Sequence, residues 1–344
     1  MSVKKVLLAS PRGFCAGVEM AIKALSWMVK VFEPPIYCYH EIVHNQAVVN
    51  RFKDQGVIFV NDVNDVPDFA PLMLSAHGTA PEVESAAMGH NRVVVNAVCP
   101  LVTKVHHEVR VRAKKGFKII YVGHRGHEEA IGTIAVAPES VHLVERPEDL
   151  EYYDFSKNEV ALLAQTTLSQ YEWDDVLFAA KQIKPNIWMP SRGDLCFATT
   201  NRQSALKEIA KVADVVIVVG SANSSNTVAL TKVAKANGCN RVIRINNASE
   251  LPNDIEGLVG LTAGASAPEE LVMETIKALN PVDGVEEVLV TQEDEYFPPP
   301  PELRELLKSM TLALSVGLNV STEPMSPLKN DRSNPATTAL KTLK

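Results

Sequence analysis

The sequence predicts an α/β fold of three related units, with mostly parallel sheets in a pseudo-threefold arrangement. Short runs rich in β-branched residues alternate with amphipathic helical patterns along the chain. Such alternation, with connections long enough to hold a helix, is typical of parallel sheets. The pattern restarts three times, each time at a cysteine in a turn: Cys15, Cys99 and Cys196.

The first half of each unit repeats most regularly. A helical pattern follows each cysteine, and a strand pattern follows each helix, as PIYCYHEIV, KIIYVGH and DVVIVVG. Polar residues end these strands, and His44, His127 and Ser224 follow the three cysteines by 29, 28 and 28 residues. Because chance alignment of cysteines would not reproduce these offsets, we interpret the pattern as an internal repeat.

The second half of each unit repeats more loosely. A second helix, weakest in the middle unit, leads to a second strand, an acidic connector and a third strand. The third strands end near His77, Thr167 and Ser266, which follow the first-strand positions by 33, 40 and 42 residues. A third helix and strand then close each unit. Because ligands of parallel sheets lie at the carboxyl ends of strands, these polar residues should meet in one cavity.

The repeat also predicts the domain boundaries. Residues 298–301 are consecutive prolines, which cannot form a helix, so we expect an extended arm that crosses back over the body. The last residues are polar and rich in Ser, Thr and Pro, which indicates disorder. The predicted segments are unit 1 at 14–97 (Cys15), unit 2 at 98–194 (Cys99), unit 3 at 195–292 (Cys196) completed by the N-terminal strand 1–13, the arm at 293–320 and a disordered tail at 321–344.

Composition limits the classes of partner. The 344 residues are 46% hydrophobic and 22% charged, which is ordinary for a globular protein. A net charge of −7 provides no basic field for nucleic acid, so we expect a small-molecule partner. The N-terminal apolar run is too short for a signal peptide, and no stretch has membrane-spanning length. We therefore predict a cytoplasmic protein that binds neither nucleic acid nor membrane, whose five cysteines do not form a disulfide framework.

The three repeated cysteines are candidate metal ligands. A thiolate at the start of a helix is favoured by the free N–H groups there. Three thiolates could hold zinc with a fourth ligand, hold a cubane cluster with one iron lacking a cysteine, or form a redox triad. Structural zinc sites usually have close cysteine pairs and four protein ligands, so the cluster is favoured. Cys38 and Cys239 lie outside the repeated position and are interpreted as packing or surface residues.

A second segment matches a metal-binding sequence pattern but not the secondary structure that the pattern requires. Residues 40–44 read HEIVH, which matches the HExxH pattern of zinc proteases. That motif requires both histidines on one face of a helix, whereas IYCYHEIV is rich in β-branched and aromatic residues. We expect a strand here, in which His40 and His44 are too far apart for one zinc ion.

The repeat collects a polar set suited to binding a phosphate or diphosphate without metal. Imidazoles, hydroxyls, amides and helix-start N–H groups serve this purpose. Glu129 is the one carboxylate in the set, so it is the candidate proton donor. The other members are His44, His77, His127, Thr166, Thr167, Ser224, Ser225, Asn226 and Ser266.

Several of these segments carry a family resemblance. The sequence resembles the LytB-type iron–sulfur reductases of the methylerythritol phosphate route to isoprenoids, from about residue 3 to about residue 290. One departure is Glu128, at a position where proline is frequent in the family. The matching segments are PRGFCAGV, HEIVHN, SAHG, CPLVTKVH, QTTLS, CFATTNRQ, GSANSSN and TAGASAP.

The resemblance implies a cofactor, a substrate and a reaction. It implies one 4Fe-4S cluster on Cys15, Cys99 and Cys196, whose free iron takes the hydroxyl of (E)-4-hydroxy-3-methylbut-2-enyl diphosphate. The polar set would hold the substrate, and Glu129 would supply the proton that lets the hydroxyl leave as water. Two electrons and two protons, with flavodoxin or ferredoxin as donor, would give isopentenyl and dimethylallyl diphosphate. A hydro-lyase that needs no reductant and a cluster-bearing sensor are the alternatives.

Overall fold

The structure, a computed structural model, describes residues 2–89, 93–155, 158–317 and 327–343. Parallel strands and helices alternate through most of the described chain. The strands are β1 Val3–Ser10, β2 Ile36–Tyr39, β3 Val57–Val60, β4 Leu72–Leu74, β5 Val94–Asn96, β6 Lys118–Val122, β7 Val141–Val144, β8 Val160–Ala164, β9 Val215–Val219, β10 Val242–Ile245, β11 Gly257–Ala263 and β12 Val285–Leu289. The helices are α1 Ala16–Val31, α2 Gln46–Lys53, α3 Pro81–Met88, α4 Pro100–Lys114, α5 Glu128–Ala135, α6 Gln170–Ile183, α7 Phe197–Ala210, α8 Ser225–Ala236, α9 Glu269–Leu279, α10 Pro301–Gly317 and α11 Ala336–Lys341.

The strands form three separate sheets, and in each sheet the first strand of the unit lies between its second and third strands. The orders are β3-β2-β4-β5, β7-β6-β8 and β10-β9-β11-β1-β12. Every strand pair in these sheets is parallel. The predicted α/β class, with three related units of parallel sheet, is therefore confirmed.

In each sheet, the segment that pairs beside the third strand of the unit leads along the chain to a cysteine. In two sheets, β5 and β1 lie beside the third strand of the unit and lead to Cys99 and Cys15. In the middle sheet, an isolated parallel bridge from Ala161 to Trp188 takes this place before Cys196. β1 thus lies in the sheet of the third unit, and its chain returns to the first unit through Cys15.

The helices that follow the cysteines pack their apolar faces into the core. The first, α1, buries Ile22, Leu25 and Met28 completely, in a cluster that also contains Ile36 of β2. Helix α7 buries Leu206 and Ile209 against the sheet of the third unit. These contacts fix the helix N-termini, and with them the cysteines, relative to the sheets. Among the described residues, no helix has the length and apolar character needed to cross a membrane.

The C-terminal region differs from the sequence prediction. The predicted arm begins as irregular chain, but α10 starts at Pro301 because proline is tolerated at the first helical position. Leu303 and Leu307 of α10 are buried in the core of the first unit. The predicted disorder is wrong for residues 327–343, which contain α11 and bury Ala336 and Leu340 against α1. Tertiary burial supplies the apolar contacts that the local composition does not reveal, and residues 318–326 lie outside the described residues.

The HEIVH segment is also not the predicted strand. β2 ends at Tyr39, and His40 has a φ of 59°, which breaks the extended backbone. Residues 40–44 form a loop rather than the helix that a zinc protease motif requires.

Candidate active site

Each of the three cysteines is attached by the same hydrogen bond to the loop that follows a third strand. The N–H of Cys15 donates to the carbonyl of Ala265 at 3.2 Å, that of Cys99 to Ala76 at 3.0 Å, and that of Cys196 to Thr166 at 3.0 Å. The residues that follow these acceptors are Ser266, His77 and Thr167. The repeat therefore places each thiol beside a polar residue predicted to bind substrate.

The three thiols face one cavity. Each cysteine is the N-cap residue of its helix, α1, α4 or α7. The thiols of Cys15 and Cys99 both lie next to Gly17. A Cβ built on Gly17 would lie 2.8 Å from Sγ of Cys99 and 3.9 Å from Sγ of Cys15. A side chain at position 17 would occupy the space between the thiols.

The electrostatics of the thiols fit a metal cluster. Burial, with the nearby Cys15 and Cys196, raises the pKa of Cys99 far above its ordinary value. Burial and Cys15 raise the pKa of Cys196 to about 11, although Thr199 donates to its sulfur. Thiolates in this cavity need added positive charge, which a bound cluster supplies. Three sulfur donors, with no fourth cysteine lining the cavity among the described residues, fit a cluster with one iron lacking a protein thiolate.

Helix N-termini supply a second face of the cavity. The first helix after the leading strand of each unit starts at Asn45, His127 or Ser224. Asn45 and Ser224 cap their own helices through side-chain oxygens. Free N–H groups and helix dipoles at such termini favour an anion.

Three histidines line this anion-binding face. The rings of His44 and His77 are stacked, with centroids 4.0 Å apart and planes at 13°. His127 meets both edge-on, at 5.6 and 6.2 Å. Burial and the neighbouring histidines lower the pKa of His127 to about 3, and burial and His44 lower the pKa of His77. Nδ1 of His127 accepts the N–H of Glu129, which leaves Nε2 to carry the proton toward a ligand.

Glu128 lies behind these histidines. Its Oε2 lies 2.6 Å from Nδ1 of His77, and its Oε1 lies 3.7 Å from Nδ1 of His40. Burial opposes ionisation, but contact with the histidines lowers the pKa of Glu128 to about 2. His44, His77 and Glu128 place metal-ligand atoms within 4.8 Å of one another. The stacked rings, however, direct their lone pairs along parallel planes, which do not converge on one ion.

Glu129, in contrast, lines the cavity. Its Oε1 accepts the N–H of Thr166 at 2.7 Å, and its Oε2 accepts the Thr166 hydroxyl at 2.9 Å. Burial raises the pKa of Glu129 to about 7, the bonds from Thr166 oppose this rise, and Asp194 adds to it. The carboxyl group can therefore hold or release a proton near neutral pH.

All thirteen residues proposed from the sequence line this single cavity. Ser266 donates to the carbonyl of His44 at 3.0 Å, and Asn226 accepts the N–H of Ala265 at 3.0 Å. The Thr166 hydroxyl is engaged by Glu129, so that side chain positions the acid as well as lining the wall. The cavity residues in order are Cys15, His44, His77, Cys99, His127, Glu129, Thr166, Thr167, Cys196, Ser224, Ser225, Asn226 and Ser266.

Sequence reasoning missed several supporting residues. Gln165 is fully buried and its Nε2 donates to Thr167 at 2.9 Å and to Ser225 at 3.0 Å. Its place directly before Thr166 was the available signal. Phe297 also lines the cavity but comes from the C-terminal region, where no repeat predicts it. Apolar residues such as Val43 and Val102 complete the wall.

Three parallel α/β units surround a cavity with three thiols, a buried carboxylic acid and a face suited to an anion, and this arrangement fits an enzyme with a sulfur-ligated metal cofactor. A family model described as "LytB protein" matches residues 6–280. The chain belongs to the LytB family, and this membership implies an oxidoreductase with an iron–sulfur cofactor.

Relatives and solved structures agree with this assignment. The chain is 43% identical over 310 residues to a 4-hydroxy-3-methylbut-2-enyl diphosphate reductase of Rhodopirellula baltica, covering 88% of this chain and 97% of the relative. It is 43% identical over 325 residues to the Bifidobacterium longum enzyme of the same name, covering 88% and 92%. A solved reductase structure from Plasmodium falciparum aligns with a TM-score of 0.85 at 34% identity, covering 90% of this chain and 99% of that one.

Proposed function

We propose that the chain reduces (E)-4-hydroxy-3-methylbut-2-enyl diphosphate to isopentenyl and dimethylallyl diphosphate, the last step of the methylerythritol phosphate pathway. The observation that carries this proposal is the meeting of three thiols, a proton-holding Glu129 and an anion-binding face in one cavity. The relatives with this reaction in their names cover nearly the same length of chain.

The diphosphate binds at the histidine and helix-terminus face. His127 donates from Nε2, and the α8 N-terminus offers Ser225 and Asn226 with the N–H groups of its first turn. Burial and His44 lower the pKa of His77 without a ligand, and a bound diphosphate anion would favour its protonation, whereas neutral His127 already has an Nε2 proton to donate. Ser266, Ser224, His44 and Thr167 complete this set.

The other end of the substrate faces the three thiols. Cys15, Cys99 and Cys196 would hold one 4Fe-4S cluster, which would relay two electrons, one at a time, from an external donor and would offer a Lewis-acidic iron to the substrate hydroxyl. A second proton, added at either end of the allylic group, would complete each product. Glu129 holds a proton near neutral pH and delivers it to the departing hydroxyl, which leaves as water. Two hydrogen bonds from Thr166 then stabilise the resulting carboxylate. Apolar walls exclude other water from the prenyl group.

The physiological setting follows from the same chemistry. A low-potential one-electron carrier such as flavodoxin or ferredoxin supplies the electrons. We place the protein in the reducing cytoplasm, where its five cysteines would stay as free thiols.

Anaerobic purification with iron and sulfide analysis, followed by incubation of the substrate with a strong reductant, tests the proposal. We expect four irons per chain at full loading and reductant-dependent formation of both products. Turnover without reductant would instead indicate a hydro-lyase. A stable cluster with no turnover would indicate a sensor, and freshly prepared protein without iron would contradict all cluster-based functions.

A further inference from the structure

The C-terminal region contributes a wall of the active-site cavity. Phe297 lines the cavity together with Cys15 and Cys196. Its ring packs against Phe197, the residue after Cys196, with centroids 6.4 Å apart. Phe297 belongs to residues 293–300, here called the strap, which lie beyond the residues matched by the family model. The strap therefore closes a site whose ligands all come from the repeated units.

Side chains rather than backbone pairing hold the strap. It contains no helix or strand, and Pro298–Pro300 have no N–H groups to donate. Its first anchor is Glu293, whose carboxylate accepts from Nη1 of Arg202 at 2.9 and 3.1 Å. Arg202 is fully buried and also donates to the carbonyls of Gly13 and Phe14, directly before Cys15.

The second anchor is Tyr296, the neighbour of Phe297. Its hydroxyl donates to Oδ2 of Asp331 at 2.9 Å. The same Asp331 oxygen accepts from Nζ of Lys23 at 2.9 Å, in an ion pair whose side chains are each only 5% exposed. Lys23 lies on α1, the helix that begins directly after Cys15. One buried carboxylate thus joins the cysteine-bearing helix to the residue beside Phe297.

Asp331 is itself held by its surroundings. It begins a turn that leads into α11, whose first N–H, from Ala336, donates to Glu19 of α1 at 2.6 Å. Ala336 and Leu340 are buried in the core beside α1. We call residues 327–343 the clasp, because they attach to α1 and to the strap at once.

We propose that Asp331 is a positioning residue that acts through Tyr296 to keep Phe297 against the cluster cavity, so that the clasp shields the cluster from solvent and oxidant. This inference rests on the proposed cluster, and it goes beyond the reaction itself. Without the Asp331 carboxylate, Tyr296 loses its acceptor and Lys23 is left as a buried unpaired charge. The strap, which has few backbone bonds, then opens more often than the rest of the molecule.

Cluster lifetime tests the proposal in the full chain. The anaerobically loaded protein is exposed to a fixed concentration of dioxygen, or to an iron chelator, and the visible absorbance of the cluster is followed. We expect Asp331→Ala to lose the cluster about tenfold faster than the unmodified protein, because opening is more frequent. The matched control is Lys341→Ala, which removes an exposed ion pair between the clasp and Glu270 of α9 and should leave the rate unchanged.

A double-mutant cycle separates positioning from general destabilisation. Phe297→Ala should accelerate cluster loss to a similar degree, and adding Asp331→Ala to it should cause little further change, because both act through the same wall. Equal rates for Asp331→Ala and Lys341→Ala would contradict the proposal. So would independent, multiplying effects of Asp331→Ala and Phe297→Ala.

A second readout does not require the cluster. In the metal-free protein, a maleimide should alkylate Cys196 faster in Asp331→Ala than in Lys341→Ala, because the strap covers that thiol less often. If no preparation binds iron, the proposed function fails while this experiment still decides the role of Asp331. Unchanged alkylation would contradict that role.

Discussion

Glu128 and Glu129 begin the same helix but have different surroundings. Successive helical residues point about 100° apart around the axis, so the two adjacent carboxylates point in different directions. Glu129 bonds Thr166 inside the cavity, whereas Glu128 lies against His77 behind it. The difference supports the proposed proton transfer by Glu129, while Glu128 contacts a histidine.

Substitution of each glutamate tests this assignment. We expect Glu129→Gln to retain the cluster and bind substrate but to lower kcat by about 10²- to 10⁴-fold, because the proton donor is lost. The matched Glu128→Gln variant should mainly raise KM, since its carboxylate contacts a diphosphate-binding histidine. Steady-state kinetics with iron analysis measures both effects. A kcat loss confined to Glu128→Gln would reverse the assignment.

The buried Glu129 also makes stability depend on pH. Its pKa rises from 4.5 to about 7 on folding, mainly through burial, so the folded state binds this proton more tightly than the unfolded state. Protonation of Glu129 adds its full contribution to the free energy of unfolding below about pH 4, and this contribution is lost as pH rises to about 7. The unmodified metal-free protein should therefore lose about 3 kcal/mol of unfolding free energy between pH 4 and pH 8 that Glu129→Gln does not lose.

Denaturant unfolding of the metal-free protein at the two pH values measures this difference. Glu128→Gln serves as the control, because contact with histidines lowers rather than raises its pKa. An equal pH dependence for Glu129→Gln and the unmodified protein would show that Glu129 does not titrate as we infer.

At the scale of elements, α7 is connected to the Cys15 turn by one side chain. Arg202 donates to the carbonyls of Gly13, Phe14 and Ala198 and to the carboxylate of Glu293. A guanidinium supplies the planar set of donors that this arrangement requires. Two cysteine-bearing turns therefore keep a fixed separation, although they belong to different units.

We expect Arg202→Met to destabilise the metal-free protein by about 3–5 kcal/mol, because buried acceptors lose their donor and Glu293 loses its charge partner. Lys211→Met, at the end of the same helix, removes an exposed ion pair with Glu208 and should cost less than about 1 kcal/mol. Chemical denaturation compares the two variants. Similar losses of unfolding free energy in the two variants would show that the buried contacts of Arg202 do not stabilise the fold more than an exposed ion pair does.

At the scale of the whole molecule, the proposed cluster links three sheets through three helix N-termini. Its ligands lie at the starts of α1, α4 and α7, which belong to different units. A ligand bound only by the folded state stabilises that state, so removing the cluster should lower Tm by at least about 5 °C. Hydrogen exchange should increase most at these three termini. Anaerobic calorimetry before and after chelation is the measurement, and an unchanged Tm would contradict the linking role.

The fold was predictable because its information is local and repeated. Hydrophobic periodicity identified helices after all three cysteines, and the recurrence of offsets indicated equivalent positions such as His44, His127 and Ser224. The sequence could not show that the fourth strand of the middle unit is reduced to a bridge at Trp188. A short pairing of this kind depends on neighbouring strands rather than on its own residue pattern.

The sequence by itself determined the three units, the cysteine set and the polar residues after successive strands, because each has a periodic local pattern. Only the tertiary structure decided which of two adjacent glutamates faces the cavity, and that Arg202, Phe297 and Asp331 support it. Those roles depend on helix orientation and on contacts between residues far apart in the chain. A polar, proline-containing C-terminus has no local signal of such contacts, and its order comes from burial against α1.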